Sequence, residues 1–198
     1  MKITGGRIDG FLKSPPKDTL GALFFGPDRG LVRERAQLLA RHFVPEPDDA
    51  FAVTKLTTDD LSEDPSRLHD AMTALSLLGD ASLVTLRLDH ERGGKAIADL
   101  IRHFDTQPQL AASCLVIEGG EMKTSSAIRK AVEGAKHFAA IGCYPEGARD
   151  VGNLIKATLE ENGLSIRPDA LGLWLTRLDG DRALIRSEVE KIDRKSVV

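Results

Sequence analysis

Apolar residues along this chain follow two rhythms. Five short, nearly unbroken runs stand out: LGALFF (20–25), FAVTKL (51–56), SLVTLRL (82–88), SCLVIEG (113–119) and HFAAIG (137–142). Runs of this length predict strands buried on both faces. Between them lie stretches 31–43, 66–77, 94–104 and 124–134, where apolar residues return every three or four positions, as Val32, Ala36, Leu39, Ala40 and Phe43 do in the first. That spacing predicts helices. Strand and helix alternating in this order predict right-handed crossovers and an α/β fold with a largely parallel sheet in three layers.

The rhythm changes after Tyr144-Pro145. ARDVGNLIKATLEENG, PDALGLWLTRLDG and DRALIRSEVEKIDRK read as three helices punctuated by Gly163, Pro168 and Gly180, with no strand signal between them. The expected organisation is an α/β domain over residues 1–142 and a small three-helix domain over 143–198. The last helical pattern runs into Arg194-Lys195-Ser196-Val197-Val198 without a glycine, asparagine or proline to stop it, which predicts that the natural chain continues.

Composition narrows the function classes. The 198 residues suffice for one α/β domain and a small helical one. Lysine and arginine total 27 against 30 acids, a formal net charge of −3, so no global basic field advertises nucleic acid. A connection to DNA has to be local or pass through a partner. No apolar run approaches the roughly 20 residues that cross a bilayer, and MKITGGRIDGFLK is not of signal-peptide type, so the expected location is cytoplasmic. Cys114 and Cys143 stand apart, and the five histidines lack metal-ligand spacing. The cysteines read as core residues, and no metal site is expected.

Two stretches carry candidate chemistry. FFGPDRGLVRERA has the setting of a phosphate-binding loop, with a strand ending in Gly26, a short loop through Pro27 and Asp28 to Gly30, and a helix at once. Where a working loop places lysine and a hydroxyl residue, this chain has Leu31 and Val32, and Asp28 puts an anion where phosphates would approach. Asp89 and Glu91 at the end of the third strand are interrupted by His90 and make no adjacent acidic pair for magnesium. Nucleotide hydrolysis is not expected; the alternative is a nucleotide-binding enzyme with a non-standard loop.

The second stretch is EDPSRLHDAMTALSLLGDASLV. On a helix over 66–77, at ~100° per residue, Leu68, Met72 and Leu75 form one stripe, Leu77 lies roughly opposite Leu68, and Leu78 sits on the flank. Two readings stay open. Either the helix ends early and both leucines fold under the sheet, or they form an apolar plug for a partner's pocket.

Taken in order and spacing, FFGPDRGLVRERA, ALSLLGDASLV, LVIEGG, SSAIRKAVE, IGCY and DGDRALIRSEVEKI resemble the delta subunit of the bacterial DNA polymerase III clamp loader. The resemblance implies an AAA+-type module, a RecA-like domain with a three-helix lid, that has lost nucleotide binding and needs no cofactor. Gly26, Pro27, Asp28, Gly30, Leu31 and Val32 are then a degenerate phosphate loop. It further implies binding and opening of the ring-shaped beta sliding clamp for loading onto primed DNA, beside ATPase (gamma/tau) and delta-prime subunits. The chain would be a non-catalytic part of a DNA-directed DNA polymerase complex, with DNA reached through that complex. The family's clamp contact falls on Leu77 and Leu78, preceded by Ser76; its second residue is often phenylalanine, and leucine here keeps the apolar character without the ring. Delta subunits also carry a helical collar domain, which residues 1–198 do not supply.

Overall fold

The computed structural model describes residues 1–5, 7–47, 49, 51–75, 81–144, 152, 155, 156, 159, 160 and 163–177. The chain divides into two compact units, Met1–Cys143 and Tyr144–Val198.

In the first unit the elements run β1 (Lys2–Ile3), α1 (Arg7–Lys13), β2 (Gly21–Phe25), α2 (Arg29–Phe43), β3 (Val53–Thr57), α3 (Thr58–Glu63), α4 (Arg67–Thr73), β4 (Ser82–Leu88), α5 (Gly94–Thr106), β5 (Ser113–Gly119), α6 (Ala127–Gly134) and β6 (Phe138–Gly142). The six strands form one sheet in the order β1-β6-β2-β5-β4-β3, and every pairing is parallel.

Strand β2 shows why the apolar runs are unbroken. Leu23 and Phe25 enter one core, and Ala22 and Phe24 the other, so both faces of the strand are dry. The core on the first face is closed by α4, α5 and α6 through residues such as Met72, Ile101, Phe104 and Val132. The core on the second is closed by α1 and α2 through Phe11, Leu12, Leu31, Ala36 and Leu39. From β2 the chain crosses by α2 to β3 at the far edge, returns through β4 to β5 beside β2, and then reaches β6 on β2's other side. Right-handed crossovers put α2 on one face and the returning helices on the other. The reversal beside β2 is a topological switch point, and the loop after β2 lies at its carboxyl end.

Two short elements had no apolar run to announce them. Strand β1 is two residues long and is seated by its backbone: the Met1 ammonium donates to the carbonyls of Val132 (2.8 Å), Ala135 and Phe138, and Ala140 N donates to Met1 O at 2.7 Å. Helix α3 begins with a capping box, in which the Thr57 hydroxyl accepts from Asp60 N while the Asp60 carboxylate accepts from Thr57 N.

The helix expected over 66–77 is shorter than its periodicity. Helix α4 stops at Thr73, and Ala74 is already extended. The cause is long-range. Ala112 N donates to Met72 O at 2.8 Å, and the Ser113 hydroxyl donates to Ala71 O at 3.1 Å. The start of β5 therefore takes carbonyls that a further helical turn would need. Leu75, placed on the core stripe by its spacing, is instead 84% exposed. Likewise Phe51, at the head of the second apolar run, precedes β3 in a turn and is 89% exposed.

In the second unit residues 152, 155, 156, 159 and 160 are helical, and α7 spans Pro168–Arg177. Ile155 and Leu159 are buried against Leu164, Ile166, Leu171, Trp174 and Leu175. The expected third helix lies outside the described residues.

Candidate functional site

The loop after β2 is held from several sides. Gly26, at φ +152°, stands where an added Cβ would lie 1.9 Å from the carbonyl oxygen of Cys143. Its N–H donates to Gly120 O at 3.0 Å, and Cys143 N donates to Phe25 O at 2.7 Å. Arg35, buried on α2, donates through Nη1 to Gly142 O at 3.2 Å. The loop is thus bound to the ends of β5 and β6 before any ligand is considered.

Asp28 is the N-cap of α2, and its Oδ1 accepts from Leu31 N at 2.9 Å. An N-cap carboxylate satisfies a helix-end amide and places negative charge at the positive end of the helix dipole. That is the position a bound phosphate uses in a working loop. Leu31 and Val32 are 0% and 4% exposed, built into the core beneath α2. Pro27, Arg29 and Gly30 are exposed. No lysine or hydroxyl occupies the two positions after Gly30. At the end of β4, the Asp89 carboxylate accepts from Arg87 Nε at 3.2 Å, and its backbone N–H donates to the Thr58 hydroxyl at 3.2 Å. Glu91 is exposed.

Ser76, Leu77 and Leu78 lie outside the described residues. Their flanks are described. Chain leaving α4 at Thr73 reaches the amino end of the sheet, where β4 begins at Ser82 and β5 at Ser113. That end of the sheet lies opposite the loop after β2. The exposed Leu75 and the partly exposed Leu110, in the turn Pro108–Leu110, belong to the same edge.

Arg129 and Glu118 were not legible from motifs, whereas the two cysteines were read as core residues. Arg129 on α6 is buried, donating to Glu133 Oε1 at 2.9 Å and to Met122 O at 2.9 Å, with its guanidinium 4.6 Å from the centre of the Phe25 ring. Cys114 is partly buried, and burial pushes its thiol up to about 11, which makes it unreactive. Cys143 is buried. On β5, burial raises the pKa of Glu118 while Arg33 and Arg87 oppose the shift.

The sign for Glu118 follows from linkage. A raised folded pKa means the native state binds more protons than the unfolded chain between the usual 4.5 and the folded value, so stability falls as pH rises through that window. The expected result is that Glu118→Gln melts above the parent at neutral pH and that the difference vanishes below the ordinary glutamate pKa. Melting curves on both sides of the window check this; an unchanged difference at low pH would contradict it.

Among the described residues no three of His, Cys, Asp and Glu group to hold a metal ion, and no helix is long and apolar enough to cross a membrane.

No protein-family model matches the chain. Over 77 residues it is 30% identical to the probable DNA polymerase III subunit delta of Rickettsia prowazekii, a match spanning 39% of this chain and 24% of that relative. The Bacillus subtilis DNA clamp loader delta protein superposes with a TM-score of 0.68 at 15% identity, over 96% of this chain and 57% of the other. A DNA polymerase III gamma-subunit-related protein of Thermotoga maritima superposes with a TM-score of 0.53 at 12% identity, over 92% of this chain and 57% of the other. The fold is that of the AAA+-like modules of clamp-loader subunits. Within that class the sequence likeness and the first structural one are both to delta proteins. It spans about a quarter of the curated relative and 57% of each solved structure.

Proposed function

We propose that this chain works as the non-catalytic delta subunit of a DNA polymerase III clamp loader, binding the beta sliding clamp and favouring its opening for loading onto primed DNA. Leu77 and Leu78, with Ser76 before them, form the clamp contact, and the exposed Leu75 extends it. The partners at full length are the gamma/tau ATPase and delta-prime subunits, DNA is engaged within that complex, and the setting is the cytoplasm. Residues 1–142 act as the RecA-like domain and 143–198 as a three-helix lid.

The observation that carries this reading is the Asp28 carboxylate seated on the N-terminus of α2, in a chain whose sequence and fold both resemble delta subunits. A loop that supplies its own anion and packs Leu31 and Val32 into the core keeps its shape without nucleotide. ATP is spent by sibling subunits.

The test is capture of this chain by purified beta clamp from the same organism, run beside a melting experiment with ATP and magnesium. Capture with no change in melting temperature is expected. A ligand at 100 times its dissociation constant adds ~2.7 kcal/mol, so a saturable upward shift would favour the nucleotide-binding enzyme. Failure of clamp capture would remove the delta assignment.

A further inference from the structure

We propose that the cavity between α3, α4 and α5 is a binding site for an apolar group that ends in a carboxylate. It opens near the carboxyl ends of β3 and β4, and the proposed clamp contact makes no use of it.

The cavity is a consequence of broken helices. Helix α3 stops at Glu63, the chain turns through Asp64-Pro65, and α4 starts only at Arg67, so no continuous helix closes over the first two turns of α5. The space left is about 140 Å³. Leu68 and Ile97, both buried, line it together with the partly buried Leu61 and Leu100. An apolar cavity of this size holds a benzene ring.

The polar part of the lining offers donors without acceptors. Thr58 is 1% exposed, and its hydroxyl accepts from Asp89 N at 3.2 Å, while no described residue accepts its proton. Ser62 spends its own proton on Thr58 O at 2.8 Å. Arg92 is the one charged residue of the lining, and its side chain has no hydrogen-bond or ion-pair partner among the described residues. Gly93 N, at the start of α5, likewise meets no acceptor among them. Thr58 and Arg92 follow the carboxyl ends of the paired strands β3 and β4, which gathers these donors at one end.

The carboxylates nearby do not fill that role. Asp59 Oδ1 lies 3.1 Å from His90 Nε2, Asp60 accepts from Arg67 Nη1 at 2.8 Å, and Asp64 accepts from Ser66 N at 3.0 Å. Glu63, Glu91 and the cation Lys95 are exposed and do not line the cavity. The acceptor therefore has to arrive with the occupant. A buried hydroxyl proton and a guanidinium at one end of an apolar bowl recognise a carboxylate on a small apolar body. A neutral hydrocarbon would leave the Thr58 proton unmet, and a bare anion would leave Leu68 and Ile97 without a partner. A free aryl acid and a peptide ending in an apolar residue share this chemistry. Either would touch α3, α4 and α5 together and brace the helix that leads to Leu75.

Nitrogen–proton correlation spectra of the whole chain titrated with phenylacetate test this. Saturable shifts at the amides of Thr58, Gly93 and Ala96 are expected. Phenylacetamide, the same shape without the charge, should bind at least ~10-fold more weakly, and acetate, the head without the body, should not bind in the same range. Arg92→Gln removes an exposed, unpartnered side chain and should weaken phenylacetate by a similar factor while leaving phenylacetamide unchanged. The tripeptide Gly-Gly-Phe separates the two sources: tighter binding than phenylacetate, lost on amidation of its carboxyl, assigns the site to a chain end, and weaker binding assigns it to a free acid. No saturable shift with either probe, shifts confined to residues outside the cavity, equal binding of acid and amide, or an Arg92→Gln variant that binds phenylacetate like the parent would overturn the proposal. Clamp capture uses neither Thr58 nor Arg92, so it succeeds or fails independently.

Discussion

Replacing Leu77 and Leu78 together by alanine is expected to abolish clamp capture while leaving the melting curve nearly in place. Helix α4 ends at Thr73, and of the two described residues that follow, Ala74 is exposed and Leu75 is 84% exposed. A chain that has left its helix into solvent before reaching Leu77 has the right setting for a plug. An apolar anchor buried in a partner's pocket contributes ~2 kcal/mol or more, so the pair should cost well over tenfold in affinity for the clamp. Exposed substitutions usually change stability by about 0.5 kcal/mol or less. Were the leucines folded under the sheet, each would cost ~2–5 kcal/mol on truncation. Melting and clamp affinity measured on one double variant separate the cases: a large fall in melting temperature, or undiminished affinity, would end the assignment.

The second large effect belongs to Gly26. Alanine there must place a methyl carbon 1.9 Å from the Cys143 carbonyl oxygen at a φ of +152° that L-residues rarely adopt. Backbone strain of about 1–3 kcal/mol and a similar overpacking term add to ~2–6 kcal/mol. The variant should melt roughly 10 °C or more below the parent. Gly30→Ala, whose nearest neighbour to an added Cβ is an Asp28 oxygen at 3.4 Å, should change it far less. Equal losses at the two positions would contradict the account of the loop.

Much of the α/β unit was legible because its strands are buried on both faces and its helices on one, so period and run length carried the information. SLVTLRL and SCLVIEG became β4 and β5 as read. What was not legible depended on partners distant in sequence. The early stop of α4 is made by Ala112 and Ser113, some forty residues downstream, and no local pattern encodes that. Strand β1 is too short for any period and is set by carbonyls of α6 and β6. Helix α3 did carry a signal, the Thr57 to Asp60 spacing, in a stretch that otherwise reads as a solvated acidic loop. The loop after β2 was singled out by motif, and the geometry added what motif could not: Asp28 spends its carboxylate on Leu31 N. For the leucine pair the periodicity argument does not hold beyond Thr73. The case for it now rests on the exposure of Leu75 and on the resemblance.

The ties around Cys143 change what the loop after β2 is for. Cys143 ends the first unit, and its backbone is fastened to Phe25 through its N–H and packed against Gly26 through its carbonyl, while Arg35 holds the preceding Gly142. In a nucleotide hydrolase such a loop is a gauge that reports what it holds. Here it serves as a mooring post: tension arriving along the chain at Tyr144 meets backbone hydrogen bonds of β2 and β6 at the centre of the sheet. A pull at Tyr144 would be carried into β2 and β6 through those bonds.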